Sequence, residues 1–308
     1  MRQSRPCPGK NRHHGMPGTP WLTESSFHYT GWFKEETDQF CRFGLEHSFK
    51  MAQEYGFEGV EVWGGRPHAY AHDMGREEIQ AILGWKKQYG VEISMFTPEI
   101  LAYPYSLTSS MEKERRETIE YLLKSVETAA RLGTDKMQIT AKHPGYGVKR
   151  ETVWGYLEEG TSILCRRAGE LGVDIILESL SPSEGNTITC VDDILELQER
   201  VNSPALCAMI DMVPPFIANE PYSDYLERLG TSMKYVHICN GDGTTEFHMQ
   251  LDDRNGVIPV ADFFRILKRY GYDGWCSLEL LNPYFRDPEL YLSEAQRCIR
   301  RIRQELEL

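Results

Sequence analysis

Residues 171–180 read LGVDIILESL. Gly172 follows an amphipathic stretch, a short apolar run comes next, and an acid, Glu178, stands where that run ends. Glycine directly after a helical pattern is the residue that closes a helix in the left-handed conformation. A continuous rather than alternating run of Val, Ile and Leu marks a strand covered on both faces, as in a parallel sheet. The same order recurs in EYGFEGVEVW (54–63) and RYGYDGWCSLEL (269–280). Each stretch closes a helix, turns within a few residues and opens a buried strand.

Working outward, strands are expected at Phe27–Phe33, Gly59–Trp63, Val91–Thr97, Met137–Ala141, Asp174–Glu178, Leu206–Asp211, Tyr235–Cys239 and Trp275–Leu280. Helices are expected between and after them, at Leu45–Tyr55, Glu77–Tyr89, Met111–Leu132, Thr152–Leu171, Val191–Val201, Tyr222–Leu229, Val260–Tyr270 and Pro288–Leu306. Ser110 precedes the third, whose first turn is acidic and so suits the helix dipole. Eight alternations without a Pro- or Ser-rich linker predict an α/β fold, a single (β/α)8 TIM barrel over residues 26–308. A doubly wound sheet competes, but no G-x-G-x-x-G follows the first strand, and Gly241–Gly243 is too short to count. Residues 1–25, opening MRQSRPCPGKNRHHGMPGTP, are expected to be a loose extension without the apolar core of a signal peptide.

The 308 residues carry 34 Lys and Arg against 46 Asp and Glu, a net charge of −12. That excess argues against a nucleic-acid partner, which selects a basic face. No apolar run is long enough to span a bilayer, so no membrane partner is expected. Cys7, Cys41, Cys165, Cys190, Cys207, Cys239, Cys276 and Cys298 form no C-x-x-C pair. In a chain this long they read as free thiols of a cytoplasmic protein. The expected partner is a small molecule, and a homo-oligomer built through the outer helices stays open.

In a barrel of this kind the C-terminal strand ends converge on one face, where active sites lie. Those ends supply Glu178, Asp211, His237 and Glu279. One acid at a strand end is ordinarily solvated, and one His in an apolar run is ordinarily a satisfied core group. Four together are different. Carboxylates closing VDIILE and WCSLEL need a cation or a proton, since burying them unpaired costs several kcal/mol. A shared divalent metal answers all four.

Two carboxylates beside one metal suit proton transfer next to a carbonyl. The metal stabilises an enediolate as Lewis acid, one Glu removes the proton and the other returns one. Return to the opposite face inverts the centre; return to the neighbouring carbon makes an aldose–ketose isomerase.

On these residues the chain resembles the sugar isomerase/epimerase superfamily of xylose-isomerase-like barrels, and within it the ketose 3-epimerases. GVEVWGGRPHAYAHDM (59–74), FTPEILAYPYS (96–106), KHPGYG (142–147) and ILESLSPSEGNTITC (176–190) resemble the fructoselysine 3-epimerases. The resemblance implies a divalent metal on Glu178, Asp211, His237 and Glu279, manganese first, with cobalt, nickel or magnesium as the others. It implies Glu178 and Glu279 as the acid–base pair, and a ketose or ketose-amine substrate. It further implies substrate contacts from Glu184, Trp63, His68, Tyr105 and His143.

Two positions depart from the tagatose and psicose epimerases. Pro214 and Gly243 stand where those enzymes carry a His and an Arg that grip the sugar near its carbonyl. Asp242 and His248 are the candidates to replace them. A hydroxypyruvate-isomerase-like activity remains an alternative, and an apurinic-endonuclease-like metal hydrolase a remoter one.

Overall fold

The computed structural model describes residues 27–30, 44–145, 147–280 and 288–307. Eight parallel strands close into a barrel in chain order. They are β1 (Phe27–Thr30), β2 (Gly59–Trp63), β3 (Glu92–Thr97), β4 (Lys136–Ile139), β5 (Asp174–Leu177), β6 (Leu206–Asp211), β7 (Met233–Ile238) and β8 (Trp275–Leu278). Closure is the pairing of β1 with β8, Tyr29 opposite Leu278.

Outside run α1 (Leu45–Tyr55), α2 (Arg76–Tyr89), α3 (Glu112–Leu132), α4 (Arg150–Leu171), α5 (Val191–Val201), α6 (Val213–Ile217), α7 (Tyr222–Leu229), α8 (Val260–Tyr270) and α9 (Pro288–Leu306). The expected extension 1–25, and residues 31–33 of the expected first strand, lie outside the described residues. No described helix is long and apolar enough to cross a membrane.

The glycine stops behave as read. Gly56, Gly172 and Gly271 close α1, α4 and α8 with φ of 77°, 69° and 66°. That region costs a residue with a Cβ and not glycine. Other boundaries move. α3 begins at Glu112, and the serine at its start is Ser109: its hydroxyl accepts from Met111 N–H (3.1 Å) and donates to Glu114 (2.7 Å). α6 was not among the expected helices; its two prolines lie at its first positions, where they cost no hydrogen bond. β7 starts two residues early and takes in Lys234, at the end away from His237.

Alternation sorts the strand side chains into two cores. Ile175 and Leu177 pack outward in the large core between strands and helices. Ile176 points inward and joins Met95, Cys207, Met209 and Tyr235 in a separate cluster inside the barrel. Two residues further along, the same inward face carries Glu178, Asp211 and His237. Register completes the placement, with Asp211 directly opposite His237 across the β6–β7 ladder.

Candidate metal centre

Glu178 and Glu279 follow the last ladder residues of β5 and β8, yet their N–H groups still bond the neighbouring strands, to Ile139 O (3.0 Å) and Ile238 O (3.2 Å). Their side chains are therefore aimed by the sheet and not by a loop. His237 Nδ1 lies 2.7 Å from Glu279 Oε2, 3.3 Å from Glu178 Oε1 and 3.7 Å from Asp211 Oδ2. All four residues are buried, and one donor atom from each falls within 4.8 Å of the other three.

This donor set fits a divalent cation. His237 Nδ1, Asp211 Oδ2 and Glu279 Oε2 are fully buried and make no hydrogen bond to a described group, although they face one another. The other sides of these groups are bonded. Asp211 Oδ1 accepts from Val213 N–H at 2.6 Å, and the Gln138 amide donates to Glu178 Oε2 at 2.5 Å. His237 Nε2 lies 3.1 Å from Glu61 Oε2. A carboxylate there holds the proton on Nε2 and turns the Nδ1 lone pair toward the cluster, the arrangement that orients a metal-binding imidazole. Glu61 is fixed in turn by the Tyr235 hydroxyl (3.0 Å) and by the Thr97 hydroxyl.

Charge within the cation-free cluster is unevenly shared. Burial, then Glu279 and Asp211, push the Glu178 carboxyl up to about 8 against the pull of His237. Burial likewise raises Asp211 to about 6. Glu279 is held well below the usual range: burial opposes this, but His237 and His248 outweigh it. Burial lowers His237 too, yet Glu279 and Glu61 overcome it and raise the imidazole well above its usual value. Three carboxylates crowded without a cation store repulsion that a cation relieves.

A model of the xylose isomerase-like TIM barrel matches residues 49–302. The chain belongs to that family. Over 254 residues it is 35% identical to a fructoselysine 3-epimerase of Escherichia coli O157:H7, covering 82% of this chain and 92% of that protein. A fructoselysine 3-epimerase of Shigella flexneri is 34% identical over 254 residues, with 82% and 91% covered. Among solved structures, the D-psicose 3-epimerase of Clostridium cellulolyticum H10 superposes with a TM-score of 0.75 at 14% identity, covering 91% of this chain and 98% of that one. That last likeness shows the barrel alone. These relatives put the chain among the carbohydrate epimerases and isomerases, acting on a small sugar-type molecule.

The remaining expected site residues are placed unequally. Glu184 lines the small cleft over the cluster together with Glu178, Asp211, Glu279 and Pro214. Trp63, His68, Tyr105 and His143 lie on the same end of the family barrel, in or next to the loops after β2, β3 and β4, but do not line that cleft. Trp63 donates its indole N–H to Glu99 (3.1 Å) and meets His68 edge-on at 5.6 Å. Tyr105 stacks on Tyr121 at 4.3 Å and shares a hydroxyl contact of 2.6 Å with Tyr70. His143 Nδ1 accepts from Gly145 N–H.

Of the two candidates to replace Pro214 and Gly243, Asp242 turns away. Its carboxylate accepts four hydrogen bonds from Thr244 and Thr245. Burial works against ionisation, but those bonds hold it at about 2. His248 turns in: it is 4% exposed, with Nδ1 3.3 Å from Glu279 and Nε2 3.7 Å from Asp211. Three residues escaped the sequence reading: Glu61, Gln138 and Glu246. Glu61 and Gln138 carry a readable signal, a polar side chain inside an apolar strand on the inward parity. Glu246 lies in a loop with no period.

Proposed function

We propose that the chain inverts C3 of a ketose or ketose-amine conjugate of the fructoselysine type, through a cis-enediolate. The observation that carries this is the pair Glu178 and Glu279, brought by β5 and β8 to 3.3 and 2.7 Å from one imidazole nitrogen. Two strand-held carboxylates beside one centre can serve the two faces of a carbon between them. Glu178, Asp211, His237 and Glu279 are proposed to hold the cation, manganese first, with cobalt, nickel or magnesium as substitutes. When bound, it supplies Lewis-acid stabilisation of negative charge on substrate oxygen.

The protein's own groups do the rest. Their surroundings drive the two carboxyls apart, Glu178 toward holding a proton and Glu279 toward giving it up. That separation suits one acid and one base at neutral pH. Glu61 orients His237, and Gln138 fixes Glu178. Glu184 is proposed to contact substrate hydroxyls from the cleft wall. Trp63, His68, Tyr105 and His143 are proposed to shape the outer rim. Residues 26–308 are read as one catalytic domain. A cytoplasmic location is supported by the free thiols of Cys165, Cys190, Cys207, Cys239, Cys276 and Cys298.

The deciding experiment incubates the manganese-loaded protein with fructose and fructoselysine in D2O and follows exchange by NMR. Deuterium is expected at C3 of at least one of them. Exchange at C1 with none at C3 sinks the epimerase reading and makes the chain an aldose–ketose isomerase.

A further inference from the structure

The cleft over the cluster is lined by more carboxyl groups than the three proposed to hold a cation. Glu178, Glu184, Asp211, Glu246 and Glu279 line it, and no Lys or Arg stands among its described lining residues. Glu184 and Glu246 lie outside the four residues proposed to hold the cation. The Glu246 side chain is only 13% exposed, and neither carboxylate oxygen has a hydrogen-bond partner among the described residues. His248, more than nine-tenths buried, lies 3.6 Å from Glu246 Oε2, and neither of its ring nitrogens meets hydrogen-bond geometry. The buried oxygens of the half-buried Glu246 and the buried ring of His248 thus face the cleft without a hydrogen bond among the described residues, His248 meeting Asp211, Glu246 and Glu279 only at ion-pair distances, a state that a ligand relieves.

The loop that brings them is pinned at its base. Asn240 and Met249 exchange both backbone hydrogen bonds, at 3.0 and 2.8 Å. Asp242 ties the tip through Thr244 and Thr245. Glu246 is therefore delivered at a fixed place beside the cluster.

We propose that Glu246, positioned by His248, binds the protonated secondary amine of a ketose-amine substrate and makes the site prefer a 1-amino-1-deoxyketose to an uncharged ketose. This rests on the epimerase reading and names the residue that selects its substrate. The amine of such a sugar is on the carbon bonded to the carbonyl carbon, so an acid beside the proposed cation site is the group within its reach. A second divalent ion fits less well. The donor atoms of Asp211, Cys239 and His248 lie within 4.8 Å of one another, but the Glu246 carboxylate is not part of that set.

Two probes of equal length test the inference: 1-deoxy-1-(propylamino)fructose, cationic at pH 7, and its neutral counterpart 1-O-propylfructose. Exchange at C3 and calorimetric affinity are measured on the manganese-loaded protein, with metal content determined alongside. The wild type is expected to favour the amine by about 10- to 100-fold, the range of a charge-assisted hydrogen bond. Glu246→Gln is expected to lower the amine-to-ether ratio at least about tenfold, mostly through KM, and Glu246→Asp to restore part of it. An unchanged ratio in Glu246→Gln overturns the proposal. So does a fall from two bound metal ions per chain to one, which makes Glu246 a metal ligand. If the wild type exchanges C3 of neither probe, the epimerase reading fails, while the calorimetric ratio still decides for or against the amine site.

Discussion

The inside of the barrel is two layers built on the same strands and the same faces. Below lie Met95, Ile176, Cys207, Met209 and Tyr235, a closed apolar plug. Two residues along, about 6–7 Å higher, Ile176 gives way to Glu178, Met209 to Asp211 and Tyr235 to His237. The lower layer gains from every contact it makes. The upper layer buries three carboxylates whose facing oxygens include unbonded ones. The difference shows where stability is generated and where it is spent. The plug fixes strand tilt and register, and that rigidity lets the upper layer hold like charges closer than they would settle by themselves.

The hardest blow to this contrast is a substitution that keeps shape and removes charge. Glu178→Gln is expected to lower C3 exchange by at least about a thousandfold, as loss of a central acid–base group does, and it removes the carboxyl that burial pushes up to about 8. The metal-free protein should melt no lower than its parent, and higher if relief of repulsion dominates. A variant that exchanges C3 at the parental rate ends the two-carboxylate mechanism. One layer down, the signs reverse. Met209→Ala should cost about 2–5 kcal/mol, the range for emptying a packed core site. Activity per folded molecule should fall less than about tenfold. If Met209→Ala abolishes turnover while leaving the denaturant midpoint unmoved, the layers are not separate.

Legibility in the sequence follows the same division. Strand and helix positions came through because glycine stops and continuous apolar runs are local signals. α1 (Leu45–Tyr55), β2 (Gly59–Trp63) and β6 (Leu206–Asp211) lie where the pattern puts them. Convergence of Glu178, Asp211, His237 and Glu279 was legible because a strand has a period of two and a barrel has one inside. Glu61 obeys the same period in GVEVW and was passed over, since strand ends alone were read as chemistry. Glu246 was not legible, and His248 was legible as a candidate but not distinguishable from Asp242, which turns away. Their placement depends on the Asn240–Met249 pairing and the Asp242 turn, which no hydrophobic period announces.

Glu61 offers a smaller and sharper probe of the upper layer. It touches His237 and none of the other three cluster residues through any described hydrogen bond. Glu61→Gln keeps the shape but can present an N–H toward Nε2, favouring the wrong imidazole tautomer. Manganese affinity is expected to fall about 10- to 100-fold, read by calorimetry, with circular dichroism unchanged. Undiminished affinity would make Glu61 only a packing residue.

The smallest expected effect is also the most specific to crowding. In the cation-free protein, burial raises Glu178 to about 8, and His237 is raised well above its usual value. Below those values each group carries a proton that a cation must displace, so apparent manganese affinity should rise between pH 6 and 8 by about tenfold per unit for each proton lost. Stability moves the other way without metal. A carboxyl whose folded pKa exceeds its unfolded one contributes fully below the unfolded value and loses that contribution as pH rises through about 8. Metal-free melting temperature should therefore decline over this window while the metal-loaded one does not. The two curves should converge toward acid pH and separate toward pH 8. Parallel curves, together with a manganese affinity flat from pH 6 to 8, would mean that the upper layer carries no displaceable proton, and the stored repulsion attributed to it would be absent.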